Sequence, residues 1–299
     1  MLRRYAFLFL GVFACSTSVI WIRLSHTPPI LIAAIRLLLA VVFLAPVFLR
    51  DLRAHRGAYT RAHFQRTWLP ALALALHLMS WTFGARMTLA AQATLIVNLV
   101  PIAIPFFLHA LVGEKINRAE ILGTAIAVGS VVLLTAHDAF RGHIDGWGNL
   151  VCFGSLLLFA WYLALGRRNR DFPSLWLYVV PLYFQAGLIC LVCSLPWLGS
   201  FPAASTREWS ILIGMTLVPT VIGHSLLNLA LRALRGQIVS LANVAQFVFA
   251  TVMAFFLFGE HPTLSFYLAS ACVVAGIALV IFSAPDSSAP DRSSSPACD

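Results

Sequence analysis

Charge is what this 299-residue chain has least of. Only 10% of its residues are Asp, Glu, Lys or Arg, while 60% are hydrophobic. A soluble domain carries about 25% charged residues, so this composition excludes a water-covered surface and reads as an integral membrane protein. Acids are the scarcest group. All eleven Asp and Glu fall in gaps, at the ends of apolar runs or in the tail, and none in the middle of a run. A desolvated cation would find no counter-charge there, which argues for neutral, zwitterionic or anionic solutes. No ATP-binding motif is present. No nucleophile–base pair, metal-ligand set or paired carboxylates lie inside the apolar runs, so neither an enzyme nor a cofactor nor a metal is expected. The six cysteines are scattered, and Cys190-x-x-Cys193 has no second pair or His cluster beside it. A net charge of +9 normally raises nucleic acid as a partner. Here the arginines sit in short gaps between apolar runs, and membrane topology explains them better.

What is abundant is apolar sequence of spanning length. A helix needs about 20 mostly apolar residues to cross a bilayer. Ten runs qualify, at 5–24, 29–49, 67–86, 92–111, 118–135, 147–166, 175–195, 208–231, 237–257 and 264–282. They are too long and continuous for barrel strands, so the expected fold is an all-α polytopic membrane protein. Arg3 and Arg4 before the first run resemble a signal peptide, with Val12-Phe13-Ala14-Cys15 loosely like a lipoprotein cleavage site. The run continues to Ile22 and is read as a retained first helix. With the N-terminus inside, fifteen Lys and Arg fall on the inner side. Only Arg23, Arg86, Arg141 and Arg207 fall outside, and Arg36 lies within the second helix. This bias places both termini in the cytoplasm.

The chain also repeats. A shift of 146 residues puts Gly113 on Gly259, Glu114 on Glu260, Leu122 on Leu268, Ala125 on Ala271, Leu133 on Leu279, Arg86 on Arg232 and Leu95 on Leu241. Five helices per half is an odd number, so the second copy enters the membrane upside down. Inverted repeats of this kind place a solute site near the midplane, between the halves. The expected units are 5–135 and 147–282, joined by an outer linker, with a disordered cytoplasmic tail at 283–299. Topology sets Glu114 at the inner face and Glu260 at the outer face. Gly113-Glu114 and Gly259-Glu260 are therefore read as structural turns, each with its carboxylate near the N-terminus of the following helix.

Together these pieces resemble the drug/metabolite transporter superfamily: ten helices, two EamA-type halves, a Gly-Glu ending helices 4 and 9, Arg36 in helix 2, Trp161 in helix 6, and Asn98-Leu99-Val100-Pro101 before the first Gly-Glu. The resemblance covers about residues 5–282. It implies a bacterial inner-membrane exporter or exchanger of small metabolites. Aromatic amino-acid exporters are among the ten-helix members. It further implies that helices 1–4 and 6–9 line the pathway, with helices 5 and 10 peripheral. One departure is that helix 9 has Gln246-Phe247 where helix 4 has Val100-Pro101.

Candidate site residues follow. Small multidrug members carry a glutamate in helix 1, where this chain has Cys15, Ser16, Thr17 and Ser18. Arg36 is the main intramembrane charge, a functional candidate by default, and is read as either a helix tie or a carboxylate binder. His77 and His224 lie at nearly matching repeat positions. With no buried acid present, they are the candidates for proton coupling. Asn98, Asn228, Asn243 and Gln246 should face the bundle interior, because unpaired amides are costly in lipid. Trp81, Trp161 and Tyr183 lie deep enough to stack on a solute. Pro101 with Pro105, Pro181 and Pro219 mark expected helix breaks. The expected transport is of amino acids first, with an anionic-metabolite exchanger as the second reading. The partners are a small-molecule solute and the lipid bilayer, and a monomer is compatible with the sequence.

Overall fold

The computed structural model describes residues 2–87, 90–139, 146–201, 205–258 and 264–283. Gly259, Glu260, Arg141 and the tail from residue 284 lie outside the described residues. Among the described residues every regular element is helical. In lipid only a helix or a closed barrel satisfies each backbone polar group.

The expected runs all fall on helix, and several passes are broken. Pass 1 is α1 (Leu2–Ser16) and α2 (Ser18–Leu24), and pass 2 is α3 (Pro29–Ala54). The short α4 (Arg61–Arg66) leads into pass 3, α5 (Trp68–Met87). Pass 4 is α6 (Ala90–Asn98) and α7 (Val100–Val112), and pass 5 is α8 (Arg118–Ala139). Pass 6 is α9 (Gly146–Arg168), and pass 7 is α10 (Leu175–Ser194) with a 3-10 turn at Leu195–Ser200. Pass 8 runs through α11 (Thr206–Met215), a π-helical stretch Thr216–His224 and α12 (Ser225–Ala233). Pass 9 is α13 (Gly236–Asn243) and α14 (Gln246–Phe258), and pass 10 is α15 (Leu264–Ser283). Seven of these passes are by themselves long and apolar enough to cross a membrane. Val100–Val112 and Tyr267–Ser283 are shorter apolar helices. Their outward faces carry large apolar side chains such as Phe106, Phe256 and Phe282, at 75%, 77% and 87% exposure. Lipid accepts such a surface and water does not.

The packing between halves follows the repeat. Pass 2 packs on pass 7 (α3 on α10), pass 4 on pass 9 (α7 on α13) and pass 5 on pass 10 (α8 on α15). Each of these pairs a pass with its own counterpart. Pass 3 packs on pass 6 (α5 on α9), and the counterpart contact is pass 8 on pass 1 (α12 on α1). Likewise α7 packs on α9, and α14 on α1. A self-complementary interface of this kind is what a two-fold relation between the halves generates.

Local chemistry sets the ends. Pro29 opens α3 in its first turn, where its missing N–H is harmless. Gly113 closes α7 at φ 71°, a left-handed cap that glycine adopts without strain. The following helix is capped by Asn117 and Glu120. The Asn117 side chain accepts from the Glu120 N–H and the Glu120 carboxylate accepts from the Asn117 N–H, both at 2.8 Å. Asn117 and Glu120 thus supply both capping bonds between themselves.

Candidate functional site

The site is built at four interruptions in the helices. In pass 1, Ser16 and Thr17 donate their hydroxyls to the carbonyls of Phe13 and Ala14, and the helix breaks at Thr17. Side chains that bond to nearby helix carbonyls loosen the ladder in this way. In pass 8, Pro219 sits inside the π-helical stretch, and its carbonyl accepts from the Cys15 thiol. Passes 1 and 8 touch closely here, since a Cβ on Gly223 would lie 2.6 Å from the Cys15 sulfur. In pass 4 the helix stops at Asn98 and restarts at Val100, with Pro101 in its first turn. In pass 9 it stops at Asn243 and restarts at Gln246.

The last two breaks are equivalent under the 146-residue shift, which puts Asn98–Leu99 on Val244–Ala245. Both are tightened turns with N–H groups bonded three residues back, Leu99 to Ile96 and Val244 to Leu241. The differing sequences Val100-Pro101 and Gln246-Phe247 therefore share one backbone device. Proline accounts for the break in pass 4. In pass 9 the Gln246 amide donates to the Asn243 side chain across the gap at 2.8 Å.

Between these breaks lies a cavity of ≈ 40 Å³ lined by Cys15, Ser16, Ser18, Val19, His77, Leu78, Trp81, Thr94, Val97, Asn98, Phe159, His224 and Gln246. Both halves contribute. Its volume holds a few waters, so a larger solute fits only when the passes part. One wall is an aromatic column. His77 stacks on Phe159 with ring centres 4.5 Å apart. His224 meets the same ring edge-on at 6.1 Å and Tyr162 at 6.1 Å. His77 Nδ1 is held by the Ser155 hydroxyl at 2.9 Å, whereas His224 Nδ1 is buried without a partner.

Of the residues singled out in the sequence, Ser16, His77, Trp81, Asn98, His224 and Gln246 line this cavity. Arg36 lies one layer behind it. Its Nε donates to Thr220 at 2.8 Å and its Nη1 to Ser18 at 3.5 Å. Asn228 is buried and donates to the Tyr162 hydroxyl and the His224 carbonyl. Tyr183 is buried and donates to the Thr220 carbonyl. Asn243 is buried at the pass 9 break. Trp161 is partly buried against the core. Phe159 was not singled out, because an isolated Phe reads as lipid-facing. Its spacing of three from Tyr162 was the available signal, since residues so spaced share a helix face. Among the described residues no group of three or more His, Cys, Asp or Glu could hold a metal ion, and Cys190 is buried while Cys193 is exposed.

Beyond the cavity, one end of the seam between halves is closed by charge. Glu114 pairs with Arg167 at 3.1 Å and accepts from the Gly236 N–H at 3.1 Å. Arg235 lies 3.6 Å from Glu114 and donates to both oxygens of Glu120 at 2.6 and 2.9 Å. Gln237 adds bonds to the Pro101 carbonyl and the Thr124 hydroxyl. Glu114, Glu120 and Thr124 belong to the first half; Arg167, Arg235 and Gln237 belong to the second. Nearby, Arg66 and Asp171 form a bidentate pair between halves.

Comparison with known proteins agrees with this architecture. No curated protein matches the chain. Among solved structures, one described only as "Crystal structure of protein" superposes with a TM-score of 0.76. It covers 94% of this chain and 97% of that one at 18% identity, a likeness of fold. The family model described as the EamA-like transporter family matches twice, over residues 2–136 and 146–282. The chain therefore belongs to the EamA-like transporter family, whose members move small solutes across membranes.

Proposed function

We propose that the protein is a secondary transporter that exports small metabolites, amino acids first among them, by alternating access of a central site to the two sides of the membrane. The observation that carries this reading is the polar cavity at the junction of the halves, bounded by broken helices and closed at one end by ion pairs between halves. Broken helices beside a midplane cavity are where transporters bind and release solute. The cavity supplies amide donors and acceptors from Asn98 and Gln246, aromatic surface from Phe159 and Trp81, and no carboxylate. That set suits a small zwitterion with an apolar side chain. We assign the ion-paired end to the cytoplasm, from the arginine bias, and the protein to the bacterial inner membrane, working as a monomer. Inverted membrane vesicles loaded with labelled amino acids test the reading. Gradient-dependent flux of at least one is expected, and its absence across the panel counts against the proposal.

Coupling to protons is assigned to His77 and His224, the two histidines that line the cavity. Replacing both by alanine is expected to flatten the dependence of flux on pH. An unchanged pH profile in both single variants removes them from coupling.

A second reading, an exchanger of organic phosphates, is favoured by Arg36, whose Nη2 is buried without a partner. Competition by organic phosphates and not by amino acids would select it.

A further inference from the structure

Among the described residues, Arg36 is a buried cation that the fold leaves largely unsatisfied. It is 0% exposed, and a guanidinium offers five N–H donors in a rigid fork. Its recorded bonds are to two hydroxyls, Thr220 and, at the long distance of 3.5 Å, Ser18. Its Nη2 has no partner. Among the described residues no carboxylate pairs with it, and the acids of the sequence stay out of the middle of every pass. A cation buried without an anion is strongly unfavourable. The surroundings of this one lead to the cavity. Ser18, which holds Nη1, lines it, and so do Cys15 and His224. Both hydroxyls that hold the fork stand on interruptions. Ser18 begins the helix after the pass 1 break, and Thr220 lies in the π-helical stretch of pass 8. Such stretches rearrange more easily than regular helix and are frequent at functional sites.

Resting on the transport reading above, we propose that the solute carries a carboxylate and that this group pairs with the Arg36 guanidinium, reached when the two interruptions part. A carboxylate matches the fork in a bidentate way and supplies the charge that the protein withholds.

A matched series tests this in proteoliposomes and by thermal shift: leucine and phenylalanine, their carboxamides, and the decarboxylated amines. In the wild type the acids are expected to bind at least roughly tenfold tighter than the amides and amines, the range of a charged hydrogen bond. Arg36→Gln should bring the acids down to the level of the amides. Arg36→Lys, which keeps charge but loses the fork, should lie between. Equal competition by acid and amide in the wild type overturns the proposal, as does discrimination that persists in Arg36→Gln. Organic phosphates binding through Arg36 while carboxylates do not also overturns it. If Arg36→Gln does not fold, the wild-type series alone decides. Carboxylate-selective binding without flux sinks the transport reading and leaves the site. Flux of amines as fast as that of acids sinks the site and leaves the transport reading.

Discussion

Gly123→Ala is expected to lower the melting temperature of the purified protein by roughly 5–10 °C, while Gly129→Ala on the same helix leaves it unchanged or raises it. Passes 5 and 10 cross with backbones in contact. A Cβ on Gly123 would run into Val280 and lie 2.6 Å from the Gly276 carbonyl oxygen. One on Gly276 would lie 2.6 Å from the Gly123 oxygen in return. A carbonyl oxygen cannot turn aside as a flexible side chain can, so the helices must separate. Overpacking of this kind costs about 1–3 kcal/mol, and close approach of small residues is the main source of helix affinity in lipid. Gly129 supplies the control, because a Cβ there meets nothing within 4 Å. Its substitution gains helix propensity, up to about 1 kcal/mol. The repeat gives the crossing a second, matching point. The 146-residue shift places Ala269 on Gly123 and Gly276 on Ser130, and the Ser130 hydroxyl reaches the Ala269 carbonyl at 3.4 Å. Thermal unfolding followed by size-exclusion chromatography reads the difference. Equal melting temperatures for the two variants would show that the crossing does not hold the halves together.

The architecture was legible because lipid imposes a coarse rule, about 20 apolar residues per pass, which seven of the described passes meet outright. The site was half legible for a related reason. Polar residues within apolar runs must turn inward, so Ser16, His77, Asn98, His224 and Gln246 were visible as candidates, and all reach the cavity. The pattern does not reveal how deep inside each lies. Asn228 and Tyr183 obey the same rule, yet they spend their bonds on Tyr162 and Thr220 and tie helices together. Backbone breaks were visible only where proline marks them. Pro101 and Pro219 announced passes 4 and 8, whereas Pro105 and Pro181 sit inside continuous helices and mark no break. The breaks at Thr17 and at Val244–Ala245 come from side chains bonding to backbone or to each other, which no residue type signals alone. The ion-paired end was hidden for a third reason. Glu114, Arg167 and Arg235 are far apart in the chain, and each alone reads as an ordinary loop charge.

That ion-paired end carries the other large effect. Arg235→Gln is expected to open it and raise the rate of thiol labelling at a Ser240→Cys reporter by roughly tenfold or more. Glu120 is 1% exposed and Glu114 10%, and Arg235 serves both. Its loss leaves the Glu120 carboxylate buried without a cation. Stranding a buried charge costs about 3–5 kcal/mol. Arg235 is itself 30% exposed, so roughly 2 kcal/mol remains after screening, a population shift of about 30-fold. Ser240 is a suitable reporter because it is 0% exposed on α13, between this cluster and the pass 9 break. The exposed Cys193 and Cys272, together with Cys298 of the tail, are replaced by serine in the background. The opposite end is held differently: there Glu208 of the second half accepts from the Ser25 and Thr27 hydroxyls and the His26 N–H of the first. At the opposite end the shift places Leu89 for Arg235, Trp21 for Arg167 and Phe266 for Glu120. Only Glu260 retains its charge, so the same ion pairs cannot form there. An inverted repeat whose halves were identical would favour neither side. On this reading the ion pairs bias the molecule toward closure at the Arg235 end. Arg235→Lys should recover part of the protection by keeping the charge without the fork. Arg50→Gln should change nothing, since its Asp51 pair lies within one half and Arg50 is 72% exposed. Labelling at wild-type rates in Arg235→Gln would mean that packing, and not charge, sets which side the cavity faces.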